Sequence, residues 1–192
     1  MARPPAVILA GGRGRRMGGT DKALMWLGGR PMLSHVIDRL APQAGALAIN
    51  ANGDPARFAT FGLPVLPDPV AGFAGPLAGI LAALDWALAQ GAQSVVTVAA
   101  DTPVFPADLV DRLAAAGAPA IAATADGPHP VFGLWPVAAA PGLRAALDAG
   151  TRKVGDWAEA IGATPVRFED TDPPPFFNIN TPEDLARAEG WA

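Results

Sequence analysis

The chain has 192 residues, 51% of them hydrophobic, no cysteine and a formal charge of −4. This is apolar material for one sizeable core and one domain over 1–192, and the lack of thiols excludes disulfides, thiolate metal sites and cysteine nucleophiles. The acidic balance argues against a nucleic-acid binder; no apolar run reaches the roughly 18 residues of a membrane helix, and MARPPA provides no signal-peptide core, so the expected location is the cytoplasm.

In chain order the predicted elements are a strand over 7–10, a helix over 31–40, strands over 47–50 and 65–66, and a helix over 76–89. A strand over 95–99, a helix over 106–115, strands over 120–123 and 131–135, and helices over 138–149 and 153–161 follow, then a strand over 165–168 and a helix over 182–188. Strand-length apolar runs alternating with longer helical periods imply a mostly parallel sheet with helices on both faces, a Rossmann-like three-layer α/β sandwich. Several helices open on proline, where a missing amide donor costs nothing, and Thr181 is a suitable N-cap for the last. The run Pro173, Pro174, Pro175 reads as a stiff surface connection.

The strongest chemical signal is VILAGGRGRRMGGTDKAL, an apolar strand entering a loop of glycines, arginines and one lysine. Glycines let backbone amides approach a phosphate closely, and Arg15, Arg16 and Lys22 supply charge. Arg3, Arg13 and Arg30 extend this positive field, in which Asp21 is the only acid, so a small polyanion is the expected ligand. A Walker loop would need glycine, lysine and serine or threonine in succession, and Gly19, Thr20, Asp21 and Lys22 do not supply it. Gly12, Gly14 and Gly18 approximate the dinucleotide fingerprint, but arginines crowd the turn and the next strand ends at Asn50 rather than an acid, leaving a dehydrogenase as a distant alternative.

Asp101 follows the apolar run VVTVAA, where a carboxylate reaches the same crevice as the first loop. Magnesium bound to phosphates takes only one or two protein carboxylates, and the competing reading is a cap for the following helix. In DPVAGFAGPLAGI, Asp68 ends a short strand, and Gly72, Gly75 and Gly79 surround the start of an apolar helix whose dipole favours negative charge. Close helix packing explains those glycines equally well. The two histidines, His35 and His129, are too few and too far apart in sequence for a metal site. His35 reads as a surface or half-buried helix residue, and His129 as a candidate for the wall of a second substrate pocket.

Together LAGGRGRRMGGTDK, DPVAGFAGPLAGI, the aspartate of VAADTP, HPVFGLW and NINTPEDL resemble the MobA-like molybdenum cofactor guanylyltransferases over nearly the whole chain. The first loop alone is similar to a wider group that includes cytidylyl and sugar-phosphate nucleotidyltransferases, which stand as the alternative. The resemblance implies a nucleotidyltransferase-type fold that transfers GMP from GTP to the terminal phosphate of Mo-molybdopterin with magnesium, Mg2+, as cofactor. It implies that Leu9, Ala10, Gly11 and Gly12 cradle the nucleotide, that Lys22 and Arg16 bind its phosphates, and that Asn50, Asp68, Gly75 and Gly79 belong to its pocket. Asp101 would hold the metal, Asn178 and Asn180 would shape the active site, and Arg152 and Lys153 would receive the pterin phosphate. Chaperones of molybdenum enzymes or other cofactor-biosynthesis proteins are the expected further partners.

Overall fold

The computed structural model describes residues 3–11, 21–70 and 75–191. The strands are β1 (Ala6–Leu9), β2 (Trp26–Leu27), β3 (Arg30–Pro31), β4 (Leu47–Asn50), β5 (Val65–Leu66), β6 (Ser94–Ala99), β7 (Ala120–Thr124), β8 (Gly127–Pro136) and β9 (Thr164–Arg167). The helices are α1 (Met32–Leu40), α2 (Pro76–Ala89), α3 (Leu109–Ala116), α4 (Ala140–Asp148), α5 (Val154–Ala160) and α6 (Pro182–Glu189).

Seven strands form one sheet in the order β5-β4-β1-β6-β8-β7-β9. β5, β4, β1 and β6 are mutually parallel, β8 enters antiparallel between β6 and β7, and β9 pairs parallel with β7. The predicted mostly parallel α/β sandwich is therefore the fold, with β8 its one reversed strand.

Successive strand residues point to opposite faces, and both faces are apolar because both are covered. Ala6, Ile8, Val96 and Val98 pack with Leu33, Val36 and Leu40 of α1 and with Leu109 and Leu113 of α3. Val7 and Val95 face the other way, against Leu77, Ile80, Leu81 and Leu84 of α2, Leu143 and Leu147 of α4 and Trp157 of α5. Thr97, wholly buried, is a polar residue on that second face. Its hydroxyl donates to the Val131 carbonyl at 2.7 Å and accepts from Trp135 Nε1 at 2.9 Å, so its polarity is satisfied.

The differences from the sequence reading are local. Helix α1 starts one residue later than expected because Arg30 and Pro31 pair with Trp26 and Leu27, in a hairpin turned by Gly28 and Gly29 at φ 54° and 83°. Helix α3 starts at Leu109 rather than 106, with Asp108 at its N-cap position making no side-chain cap bond. Strand β8 reaches back to Gly127, beyond a register shift between Ile121 and Ala122. The proline run is not a surface connection throughout: Pro175 and Phe176 are buried. Phe176 is pulled in by aromatic packing, its ring centroid 4.7 Å from His129, 4.8 Å from Phe132 and 5.5 Å from Phe168. Among the described residues, no helix is long and apolar enough to cross a membrane.

Candidate active site

Because β1, β4, β5 and β6 run parallel, their carboxyl ends share one edge, the position at which open α/β sheets gather ligands. The register aligns Leu9 with Asn50 and Ala99, and Asn50 with Leu66. Leu9, Ala10, Gly11, Asn50, Asp68 and Asp101 thereby come to the same end of the sheet. Gly12 and Arg16, the other expected loop residues, lie outside the described residues.

Two polar clusters form along this edge. In the first, buried Asn50 donates through Nδ2 to the Leu66 carbonyl at 3.0 Å and to Asp68 Oδ1 at 2.9 Å. Asn52 donates to Asp68 Oδ2 at 2.6 Å, while its own Oδ1 accepts from the Asp68 amide at 2.9 Å. The Asp68 carboxylate is thus oriented by two side-chain amides. Helix α2 passes close above: a Cβ on Gly79 would collide with Asn50 Oδ1 and lie 3.1 Å from Leu9 Cδ2, and one on Gly11 would sit 3.4 Å from the same amide oxygen. Gly79 is glycine for close approach. Gly75, the N-cap residue of α2, has φ 71°, a conformation that favours glycine, and precedes Pro76 at the first turn.

In the second cluster Lys22 Nζ donates to Asn180 Oδ1 at 2.6 Å and lies 3.7 Å from Asp101 Oδ2. Lys22 begins a short 3-10 turn, Lys22–Leu24, which Asp21 caps by accepting from the Ala23 amide at 3.2 Å. The segment 176–179 runs antiparallel along 101–104, with the Phe176 amide on the Val104 carbonyl and the Ile179 amide on the Asp101 carbonyl, each at 2.9 Å. That pairing delivers Asn180 to Lys22. The predicted Thr181 cap is present as a capping box with Asp184, whose carboxylate also accepts from the Asn180 amide at 2.9 Å. Asn178 lies on the same segment but is exposed to solvent.

Burial raises the Asp101 carboxyl above the usual carboxylate range, and the Lys22 ammonium opposes that shift. Asp21 is raised for the same reason, with Arg57 opposing. Arg152 and Lys153 are exposed in the connection from α4 to α5, and a Cβ on Gly75 would lie 3.8 Å from the Arg152 carbonyl, which sets that connection beside the N-terminus of α2. The Arg152 guanidinium donates to the Leu147 and Thr151 carbonyls at 2.8 Å each. His129 Nε2 is 2.9 Å from Thr124 Oγ1, and burial lowers its pKa against the pull of Asp126 and Asp170. His35 hydrogen-bonds the Leu27 carbonyl at 2.8 Å and is half-buried.

No group of three or more His, Asp or Glu suited to a metal occurs among the described residues. One carboxylate at a strand tip, its side chain 26% exposed with an amide oxygen nearby, suits a hard cation that keeps most of its coordination for water and phosphate. Magnesium fits that donor set. Sequence reasoning missed Asn52 and the Asp21–Arg57 ion pair. The spacing of Asn50 and Asn52 was an available signal, since extended residues two apart share a face.

Residues 6–162 match the family described as MobA-like NTP transferase domain. The molybdenum cofactor guanylyltransferase of Cereibacter sphaeroides is 55% identical over 185 residues, covering 95% of this chain and 94% of that protein. Its counterpart from Bradyrhizobium sp. (strain ORS 278) is 52% identical over 196 residues, covering 98% and 92%. Among solved structures, molybdopterin-guanine dinucleotide biosynthesis protein A from Archaeoglobus fulgidus aligns with a TM-score of 0.73 at 25% identity over 97% of each chain. A 4-diphosphocytidyl-2C-methyl-D-erythritol synthase aligns at 0.70 and 15% identity over 98% of each, a likeness of fold alone. Sheet order, strand-tip chemistry and similarity over most of its length agree that this chain belongs to the MobA-like nucleotidyltransferases.

Proposed function

We propose that the protein transfers GMP from GTP to the terminal phosphate of Mo-molybdopterin, giving the guanine dinucleotide cofactor and pyrophosphate. The observation that carries this reading is the convergence of Lys22, Asp101 and Asn180 on the sheet edge that also presents the oriented Asp68 carboxylate. The curated relatives at 55% and 52% identity carry the guanylyltransferase name.

In this mechanism an oxygen of the pterin phosphate attacks the α-phosphorus of GTP in line. The new P–O bond forms as the bond from the α-phosphorus to the α–β bridging oxygen breaks, and the electron pair leaves with pyrophosphate. The attacking phosphate is ionised at neutral pH, so no general base is required. Positioning and charge stabilisation carry the rate. The backbone of 9–11 cradles the nucleotide, and Lys22, one donor held by Asn180, gives its other donors to the phosphate oxygens, joined by Arg16 from the glycine-rich loop. Asp101 would hold magnesium, which when bound supplies further positive charge to those oxygens. Asn180 orients Lys22, and Asn178 faces the solvent side of the same cleft. Gly75 and Gly79 let the start of α2 lie close to the strand tips beside the nucleotide, and Arg152 with Lys153 draws in the pterin phosphate.

Asp68 reads the base. A carboxylate only accepts hydrogen bonds, and guanine alone among the common bases offers two adjacent donors on its pairing edge. This favours GTP over CTP, the substrate of the alternative reading. The setting is a cytoplasmic one, with chaperones of molybdenum enzymes taking the product. The test is pyrophosphate release from GTP with magnesium and Mo-molybdopterin. Release that needs all three, and that fails with CTP, is the expected result; release from CTP in preference to GTP transfers the protein to the cytidylyl class.

A further inference from the structure

Arg57 stands outside the proposed chemistry, yet it joins the two clusters of the site. Its Nε lies 3.2 Å from Asp21 Oδ2, and its Nη2 donates to the Asn52 carbonyl at 2.6 Å. Its guanidinium carbon lies 4.8 Å from the centroid of the Phe58 ring. Phe58 is wholly buried, and Asp54 caps the 3-10 turn Pro55–Phe61 by accepting from the Ala56 amide at 2.9 Å, so Arg57 rises from an anchored turn. Gly53, at φ 86°, leaves room for it: a Cβ there would lie 3.2 Å from Arg57 Nη1. The planar fork of arginine can hold two partners in fixed directions, which the point charge of lysine cannot.

The partners belong to opposite ends of the nucleotide site. Asp21 caps the turn that begins with Lys22, at the phosphate end. Asn52 spends both atoms of its side-chain amide on Asp68, at the base end. With one donor from Asn50 and one from Asn52, each oxygen of Asp68 has capacity left for one more donor. Two such positions side by side match the N1–H and N2–H of guanine. Adenine and cytosine each present one donor and one acceptor there, and leave a carboxylate oxygen unmatched.

We infer that Asp21, Arg57 and Asn52 form a brace that fixes Lys22 and Asp68 relative to each other, and that Asn52 is a specificity-determining residue for the nucleotide base. Asn52 holds the carboxylate plane in which paired donors are read. Arg57 is a positioning residue, which transmits the spacing between base and phosphates. The inference rests on the guanylyltransferase reading and deepens it.

The experiment compares wild type, Asn52→Ala, Arg57→Ala and Arg57→Lys by calorimetric titration with GTP and with CTP, thermal melting, and steady-state KM and kcat for GTP with the pterin acceptor. Asn52→Ala is expected to lower the GTP-over-CTP preference about tenfold or more, because a polar recognition group loses its orientation. Arg57→Ala is expected to raise KM for GTP about tenfold while kcat stays within about threefold, the signature of lost ground-state positioning. Arg57→Lys, which keeps the charge beside Asp21 but not the fork, should recover only part of that KM. The Arg57 side chain is 35% exposed, so its replacement leaves the fold standing and keeps the test decisive if Asn52→Ala does not fold. Folded variants whose preference and KM stay within about twofold of wild type would overturn the inference, as would a fall in melting temperature alone. A wild type that prefers GTP beside unaltered variants sinks the brace only; a wild type with no preference for GTP sinks the guanylyl reading and the brace with it.

Discussion

In the parallel half of the sheet, β5-β4-β1-β6, apolar strands end in polar or small residues, Gly11, Asn50, Asp68 and Asp101, gathered on one edge, whereas β8-β7-β9 and the segments against it bury a set of aromatic side chains, Phe132, Trp135, Trp157, Phe168 and Phe176, among aliphatic ones. Trp135 lies 4.8 Å from Trp157 between ring centroids, and Phe132 and Phe168 pack around Phe176. The first half takes carboxylates and amides partly out of water, which costs folding free energy. The second half buries large apolar rings, which contributes it. Substitutions on the polar edge should therefore damage activity more than stability, and substitutions among the aromatics the reverse.

The sharpest test of this division is Asp101→Asn, expected to lower kcat/KM by about 10^3 or more through loss of charge stabilisation, measured by pyrophosphate release. Its melting temperature at neutral pH should rise. Burial raises the Asp101 carboxyl, so the folded state holds that proton to higher pH than the unfolded chain, and stability falls as pH climbs from the ordinary value of 3.8 through the raised one. The amide removes that cost, and a variant that lost stability along with activity would break the comparison. Gly79→Ala drives a Cβ into Asn50 Oδ1. Overpacking of this kind costs about 1–3 kcal/mol, and displacement of Asn50 should weaken GTP binding about tenfold, read by calorimetry beside denaturant unfolding.

At the seam between the halves, Thr97→Val removes the acceptor of the buried Trp135 N–H. A loss of about 1–3 kcal/mol in denaturant unfolding is expected, with kcat per folded molecule unchanged. The smallest effect is at His129. Burial lowers its pKa from 6.5, so below that pH the unfolded chain takes up the proton first, and stability is lost as pH falls from 6.5 toward the lowered value. His129→Gln should shrink the difference in melting temperature between pH 7.5 and pH 5.5, both being about one unit from the unperturbed value. An unchanged difference would show that His129 does not contribute to it.

What was legible in the sequence lay in local patterns. The strand tips bearing Asn50, Asp68 and Asp101 are readable because each follows an apolar run, and Lys22 because it closes a glycine-rich loop. The β2–β3 hairpin was not, since strands of two residues have no periodicity to detect. Pro128 and Pro130 hid the start of β8 by interrupting the strand pattern. Phe176 followed a proline run that suggested solvent, although its ring completes an aromatic cluster drawn from distant segments. No local pattern marks Arg57 in the sequence, because its meaning comes from Asp21 and Asn52, which only the fold brings to it.

The most direct test of the central claim is calorimetric titration of the protein, with magnesium, against GTP, CTP, ATP and NADPH in parallel. A guanine-reading Asp68 gives GTP binding at least about tenfold tighter than CTP or ATP and no binding of NADPH; equal or tighter binding of CTP rules out that role.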